Sequence, residues 1–268
     1  MTEHEQILMA VKKCRRVDLY VDSRPLTSNE KGKIVSIVEK REHGEPLQYL
    51  LGHCEFRGLT LKVDNRVLIP RPETETLVEK ALERIKDSKA PLCILDIGTG
   101  SGNIAISLAK EIDNVFVYAS DISQNALKIA QENALLNSVS KKVKFVRSDL
   151  FSQFNHSFYG FFDMMISNPP YIETHVLSTL PVDVQREPRL ALDGGKDGLK
   201  FYRNIIPNSV NFLKPGGVLA FEIGEDQKES IERIFSQNKK FESIKTFKDD
   251  CGRNRIMTGE KCYGKISH

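Results

Sequence analysis

The sequence predicts an α/β protein: a doubly wound, mostly parallel sheet of seven strands, preceded by a small helical domain. Three observations lead there. From about residue 91 onward, short apolar runs alternate with helical stretches, the pattern of βα units whose sheet is covered on both faces. The apolar runs end one after another on a polar side chain: Asp96, Asp121, Asp149 and Asn168. The first 45 or so residues, by contrast, carry helical spacing.

Taken in order, Ile7, Leu8 and Val11, then Ile34, Val35, Ile37 and Val38, recur at helical intervals with charges between them. Thr27 stands three residues before Glu30, a capping signal for the second of these runs. The basic cluster Lys12-Lys13 and Arg15-Arg16 reads as a solvated helix face. Residues 46–68 change character: Pro46, Gly52 and Gly58 punctuate short runs, and Leu59–Val63 alternates as one arm of a small hairpin. Ile69-Pro70-Arg71-Pro72-Glu73-Thr74-Glu75 follows. Its prolines stiffen the chain, and Pro72 with two acids suits a helix start. The expected organisation is a helical domain over 1–45, a hairpin and linker over 46–75, and an α/β domain over 76–268. Within the last, Leu92–Leu95, Val115–Ala119, Val143–Val146, Phe162–Ile166 and Gly217–Ile223 read as strands, with two late strands near 241–248 and 255–261. Helices are expected after the glycine loop at 98–102, over Asn125–Leu136, over Leu199–Leu213 and around Ile231–Phe235. Six aromatic side chains between Phe151 and Phe162, with hardly a cation among them, read as core packing. Residues 172–198 lack strong periodicity, and a loop of that length beside a site reads as a mobile cover.

Composition narrows the function. Lys and Arg total 39 against 36 Asp and Glu, a net charge of +3, too balanced for a protein that grips a long polyanion. Residues 1–75 alone carry 13 basic against 12 acidic side chains, so no nucleic-acid footprint stands out there either. No apolar run approaches the roughly 20 residues that span a bilayer, and the N-terminus lacks the layout of a signal peptide. Five scattered cysteines without a CxxC pair suit free thiols in a reducing cytoplasm. Six dispersed histidines offer no HxxxH or HExxH spacing, and no metal site is expected.

The chemistry gathers at the strand ends. Asp96-Ile97-Gly98-Thr99-Gly100-Ser101-Gly102 places glycines after a strand, where bare backbone lets a ligand approach. A dinucleotide loop wants its third glycine where Asn103 stands; the G-x-G-x-G spacing behind an acid is similar instead to that of S-adenosylmethionine (SAM) methyltransferases. Asp121, twenty-five residues after Asp96, suits the two ribose hydroxyls, or else caps the next helix. Asp149 suits an adenine amino group with Leu150 against the ring, or is a loop carboxylate. Asn168-Pro169-Pro170-Tyr171 is the most specific signal. An amide or aryl-amine nitrogen is a poor nucleophile because its lone pair is delocalised. The Asn168 side-chain carbonyl and the Pro169 backbone carbonyl suit its two N–H groups, with Tyr171 packed on the planar group. The gain lies in positioning and in carbonyl dipoles facing a growing positive charge.

These residues resemble the HemK-type protein methyltransferases, which modify the glutamine of the GGQ motif in class-1 peptide chain release factors. The resemblance runs through Pro46–Gly52, Glu55–Gly58, Val67–Glu75, the glycine loop, Asn168–Tyr171, Glu187-Pro188, Ala191-Leu192 and Gly194–Leu199. It implies a Rossmann-like methyltransferase sheet; with the charge balance and the cysteines, and with nothing to suggest an obligate dimer, a cytoplasmic monomer without a stable nucleic-acid partner is expected. It further implies that Gly98, Thr99, Gly100, Ser101, Gly102, Asp121, Asp149, Leu150 and Asn168 hold SAM. Asn168, Pro169, Pro170 and Tyr171 would clamp the glutamine amide, with Leu68 and Arg71 of the linker closing on it, and the helical domain would dock the release factor. Some relatives carry tryptophan where this chain has Leu150, and this chain has none.

Other readings share the residues. A glutamine on a ribosomal protein is an alternative substrate, and an adenine amino group in DNA another, although the latter requires base flipping and a basic recognition region. A SAM-binding module without turnover would have no need of an amide clamp.

Overall fold

The computed structural model describes residues 1–21, 24–86, 88 and 90–263. Four helices open the chain: α1 (Glu3–Lys12), α2 (Arg16–Val21), α3 (Ser28–Glu42) and α4 (Leu47–Leu51). Two of them start on the same chemistry. Thr2 with Glu5, and Thr27 with Glu30, form reciprocal capping boxes that satisfy otherwise orphaned backbone N–H groups. The expected hairpin follows as β1 (His53–Phe56) and β2 (Leu59–Lys62), paired antiparallel. Helix α5 (Pro72–Ile85) begins with Pro72 in its first turn and Glu73 and Glu75 beside the positive end of its dipole.

The α/β unit then runs β3 (Leu92–Ile97), α6 (Asn103–Glu111), β4 (Val115–Asp121), α7 (Gln124–Leu136), β5 (Val143–Arg147) and β6 (Phe162–Ser167). A connection with a short helix, α8 (Val182–Gln185), leads to α9 (Lys200–Phe212), β7 (Leu213–Glu222), α10 (Lys228–Asn238), β8 (Phe241–Lys248) and β9 (Asn254–Lys261). The seven strands lie in the order β5-β4-β3-β6-β7-β9-β8. The first five are mutually parallel, and β9 runs antiparallel to both of its neighbours. The doubly wound, mostly parallel sheet expected from the sequence is the one observed.

Strand alternation divides the apolar side chains between two cores. Ile94, Met164 and Ile166 face Leu77 and Val78 of α5 and Ile106 and Leu108 of α6. Leu95, Met165 and Phe221 face Tyr202 and Ile205 of α9 and Ile231 and Phe235 of α10. The aromatic stretch joins the second core, as expected. The Tyr118 ring meets Phe158, Phe161 and Phe162 edge-on at 5.5, 5.8 and 5.6 Å, while Tyr159 stays exposed. The five cysteines are all free thiols. Among the described residues no helix is long and apolar enough to cross a membrane, and no cluster of three His, Cys, Asp or Glu suits a metal ion.

Topology aligns the chemistry. Because β5, β4, β3 and β6 are neighbours and parallel, the segments after them stand side by side along one edge of the sheet. The chain winds away from β3 in opposite directions toward β4 and β6, which opens a crevice at that switch point.

Candidate active site

A cavity of about 380 Å³ occupies this crevice, within the usual range for ligand sites. Its lining draws on the linker (Val67, Leu68, Pro70 and Arg71), the loop after β3 and Asp121 after β4. Asp149 and Leu150 after β5, and Asn168, Pro169 and Pro170 after β6, complete the strand-end contribution.

The glycine loop is held from outside the cavity. Gly98 and Thr99 donate backbone N–H groups to the Ser120 carbonyl at 2.8 and 2.9 Å. The Thr99 hydroxyl donates to Asp96 at 2.6 Å. Asp96 is fully buried, and burial raises its carboxyl to about 7 against the opposing Thr99 bond. Gly98 and Gly100 have φ of +74° and +55°, a left-handed backbone that favours glycine. A β-carbon at either would meet open space, so both leave bare backbone at the cavity. Gly102 serves another purpose. It caps α6 at φ +84°, and a β-carbon there would lie 2.9 Å from Ile106 Cδ1 and 3.1 Å from Ala130 Cβ. It lies outside the cavity lining and permits α6 to approach α7.

Asp121 accepts from the Gly100 N–H at 2.9 Å and the Ser123 N–H at 2.8 Å. Burial raises its carboxyl, and the N–H groups of Ser123, Gly100 and Ile122 oppose that rise. The cap of α7 is Ser123, whose hydroxyl accepts from Ala126, so Asp121 faces the cavity without serving as that cap. Leu150 holds φ +47°, uncommon for a branched side chain, with its carbonyl accepting from the Ser148 hydroxyl at 2.7 Å. Strain of this kind, stored at a cavity wall, goes with function.

At the β6 end, two consecutive prolines keep the backbone after Asn168 extended and stiff. Asn168 Nδ2 donates to Thr74 Oγ1 at 3.0 Å, and Thr74 donates to Glu222 Oε2 at 2.6 Å. The Asn168 Oδ1 takes no hydrogen bond from the described residues. Tyr171 lies outside the cavity lining: its ring joins the second core and its hydroxyl reaches Glu222 Oε1 at 3.4 Å. Gln227 Nε2 donates to the Tyr171 carbonyl at 3.0 Å, and a β-carbon on Gly194 would stand 2.7 Å from the Tyr171 backbone. Tyr171 is thus fixed from two sides.

Residues 172–198 form a wall. Pro188, Leu190 and Ala191 line the cavity. Buried Glu187 accepts from the Ile69 N–H at 2.9 Å and pairs with Arg71, which ties the linker to this segment. The same segment touches the helical domain through Arg41–Asp183 at 3.3 Å and Arg186–Glu45 at 3.0 Å.

The structure therefore brings Gly98, Thr99, Gly100, Ser101, Asp121, Asp149, Leu150, Asn168, Pro169, Pro170, Leu68 and Arg71 around one cavity. Gly102 and Tyr171 support it from behind. Sequence reasoning assigned no role to Thr74, Glu187 or Glu222. Glu222 carried the available signal, an acid closing the apolar run Val218–Phe221, as Asp96 and Asp121 close theirs.

Comparison with known proteins places the chain in a family. Residues 2–52 match the PrmC N-terminal domain, and residues 74–182 match the methyltransferase small domain. A release factor glutamine methyltransferase of Moorella thermoacetica is 43% identical over 84% of this chain and 78% of its own. One from Thermodesulfovibrio yellowstonii is 39% identical over 97% of this chain and 92% of its own. Among solved structures, a 16S rRNA methyltransferase of T. thermophilus in complex with AdoMet and guanosine superimposes with a TM-score of 0.57. At 18% identity, over 78% of this chain and 49% of that one, the likeness is one of fold.

Proposed function

The chain belongs to the family of release factor glutamine methyltransferases, and on that premise we propose how its own residues perform the transfer. The substrate is the GGQ glutamine of a class-1 release factor, and the product is N5-methylglutamine. The observation that carries this reading is the state of Asn168. One N–H of its amide is donated to Thr74, which fixes the amide with its oxygen as an acceptor at the cavity.

The cavity suits S-adenosyl-L-methionine. Gly98 and Gly100 leave bare backbone facing open space, Asp121 would present a carboxylate to ribose hydroxyls, and Leu150 would offer an aliphatic cover for adenine. When bound, this cofactor would supply an electrophilic methyl group on a sulfonium centre, whose S–CH3 bond breaks to release the neutral thioether S-adenosyl-L-homocysteine (AdoHcy). Asn168 Oδ1 and the Pro169 carbonyl then hold the two N–H bonds of the glutamine amide and aim its nitrogen. Alignment of this kind is worth effective molarities of about 10⁵–10⁸ M. The same two carbonyl dipoles stabilise the positive charge that grows on nitrogen. An N-methylated cationic amide is strongly acidic, so the surplus proton leaves without a dedicated base. Tyr171, anchored behind the loop, keeps this corner rigid.

The helical domain, residues 1–45, and the hairpin and linker, 46–75, form the docking side, and residues 76–268 the catalytic side. A second groove, lined by Met9, Lys13, Gln48, His53 and Glu75, shares Pro70 and Arg71 with the first cavity, which supports docking next to the reacting glutamine. The protein works as a cytoplasmic monomer.

The test is mass spectrometry of a recombinant release factor after incubation with this protein and SAM. A gain of one methyl on the GGQ glutamine is expected. An unmodified glutamine, with the methyl appearing on a ribosomal protein or on DNA, would overturn the reading.

A further inference from the structure

Thr74 has one hydroxyl hydrogen and two polar neighbours, buried Glu222 and half-buried Asn168. The hydrogen points to Glu222 Oε2 at 2.6 Å, and an ionised carboxylate accepts only. The Thr74 oxygen is then left with lone pairs on its other side, so the nearest atom of Asn168 has to be a donor. It is Nδ2, at 3.0 Å. An asparagine amide has two faces of nearly equal shape but opposite hydrogen-bonding sense, and the carboxylate selects between them across two hydrogen bonds.

We propose that Thr74 and Glu222 are positioning residues. The Glu222 carboxylate orders the Thr74 hydroxyl, and that hydroxyl holds Asn168 with its carbonyl oxygen toward the substrate amide. This rests on the reading of Asn168 as an acceptor for the glutamine N–H. If Glu222 gains a proton, its hydroxyl donates to Thr74, the Thr74 hydrogen becomes free for Asn168 Oδ1, and the amide turns over. The cavity then meets an NH₂ group where it needs an acceptor.

The groups around Glu222 make such a switch reachable. Arg255 of β9 favours its charge, Glu73 of α5 opposes it, and the Tyr171 hydroxyl donates to it. Tyr202 of α9 donates its hydroxyl to the Glu222 backbone carbonyl at 2.8 Å. Burial outweighs Thr74 and Arg255 and raises the carboxyl to about 7. The productive orientation of Asn168 therefore fills in as pH rises through that value.

The experiment is a pH titration of the ¹⁵N-labelled full chain from about 5.5 to 8.5, following the Asn168 side-chain amide, assigned by its loss in Asn168→Ala. In wild type it is expected to shift with a midpoint near 7. The midpoint is expected to vanish in Glu222→Gln and in Thr74→Val. Alongside, Thr74→Val is expected to lower kcat about tenfold, as loss of one ordering hydrogen bond implies, with AdoHcy affinity within about twofold. Thr74→Ser, which keeps the hydroxyl, restores most of that loss. A flat wild-type titration, or wild-type kcat in Thr74→Val, would overturn the relay even if the release factor is methylated. A clear titration in a protein that leaves the GGQ glutamine unmodified would uphold the relay and overturn the substrate.

Discussion

Glu187 offers a sharp test of how the linker is held. Its side chain is 2% exposed, whereas Arg71 is 32% exposed. Glu187→Ala removes the acceptor of the Ile69 N–H, and a buried donor left without a partner costs about 1–3 kcal/mol. Loss of the Arg71 pair adds about 0–1 kcal/mol, because that guanidinium reaches water. A total near 2 kcal/mol corresponds to a fall in Tm of roughly 4–8 °C for a chain of this size. Glu187→Gln retains a carbonyl acceptor for Ile69 and should lose about 1 kcal/mol or less. Denaturant titration of both variants gives the stabilities. Steady-state methylation of a glutamine peptide is expected to show KM raised several-fold in Glu187→Ala, with kcat little changed, because Leu68 and Arg71 line the cavity. Equal stability of the two variants, or a loss below about 0.5 kcal/mol in Glu187→Ala, would refute the idea that this carboxylate anchors the linker.

Three further outcomes follow from the same geometry. Asn168→Ala should lower kcat by about 10²–10³, the usual scale for loss of a charge-stabilising contact, while calorimetry still detects AdoHcy. Gly102→Ala should destabilise the fold by about 1–3 kcal/mol through its contacts with Ile106 and Ala130, whereas Gly98→Ala should weaken AdoHcy binding more than it lowers Tm. The Glu222 carboxyl is raised to about 7 in the folded protein against about 4.3 unfolded. Between those values the native state holds a proton that the unfolded chain has shed, so stability falls as pH rises through that window. Denaturation at pH 5 and pH 8 should show a smaller loss across the range in Glu222→Gln than in wild type.

The row of strand ends was legible because parallel βα units put every carboxyl end on one edge. An acid or amide closing an apolar run therefore points at that edge by construction. Asp121, the glycine loop and Asn168 could be placed together on these grounds. The helix starts were equally readable, since Thr27 and Glu30 state their capping in four residues. The Thr74–Glu222 contact was not, because its partners are separated by 148 positions and depend on how β7 stands beside α5. Glu187 was hidden for a related reason: an acid in an aperiodic stretch looks solvated until the chain folds it under Ile69. Tyr171 and Gly102 show the opposite limit. A motif brings residues near a site, but rotamer and backbone direction decide which of them face it.

The strand order carries a consequence for how the molecule is made. β9 is synthesised after β8 yet inserts between β8 and β7. Until residues 254–261 emerge, β7 presents an unpaired row of N–H and C=O groups, the kind of open margin that recruits other chains. Arg255 arrives with the same strand, so the nascent protein has its glycine loop and Asn168 well before it has the cation beside Glu222. Completion of the sheet and of the charge environment around Glu222 are thus one late event, and a ribosome stalled before residue 254 would leave a sticky, incomplete chain.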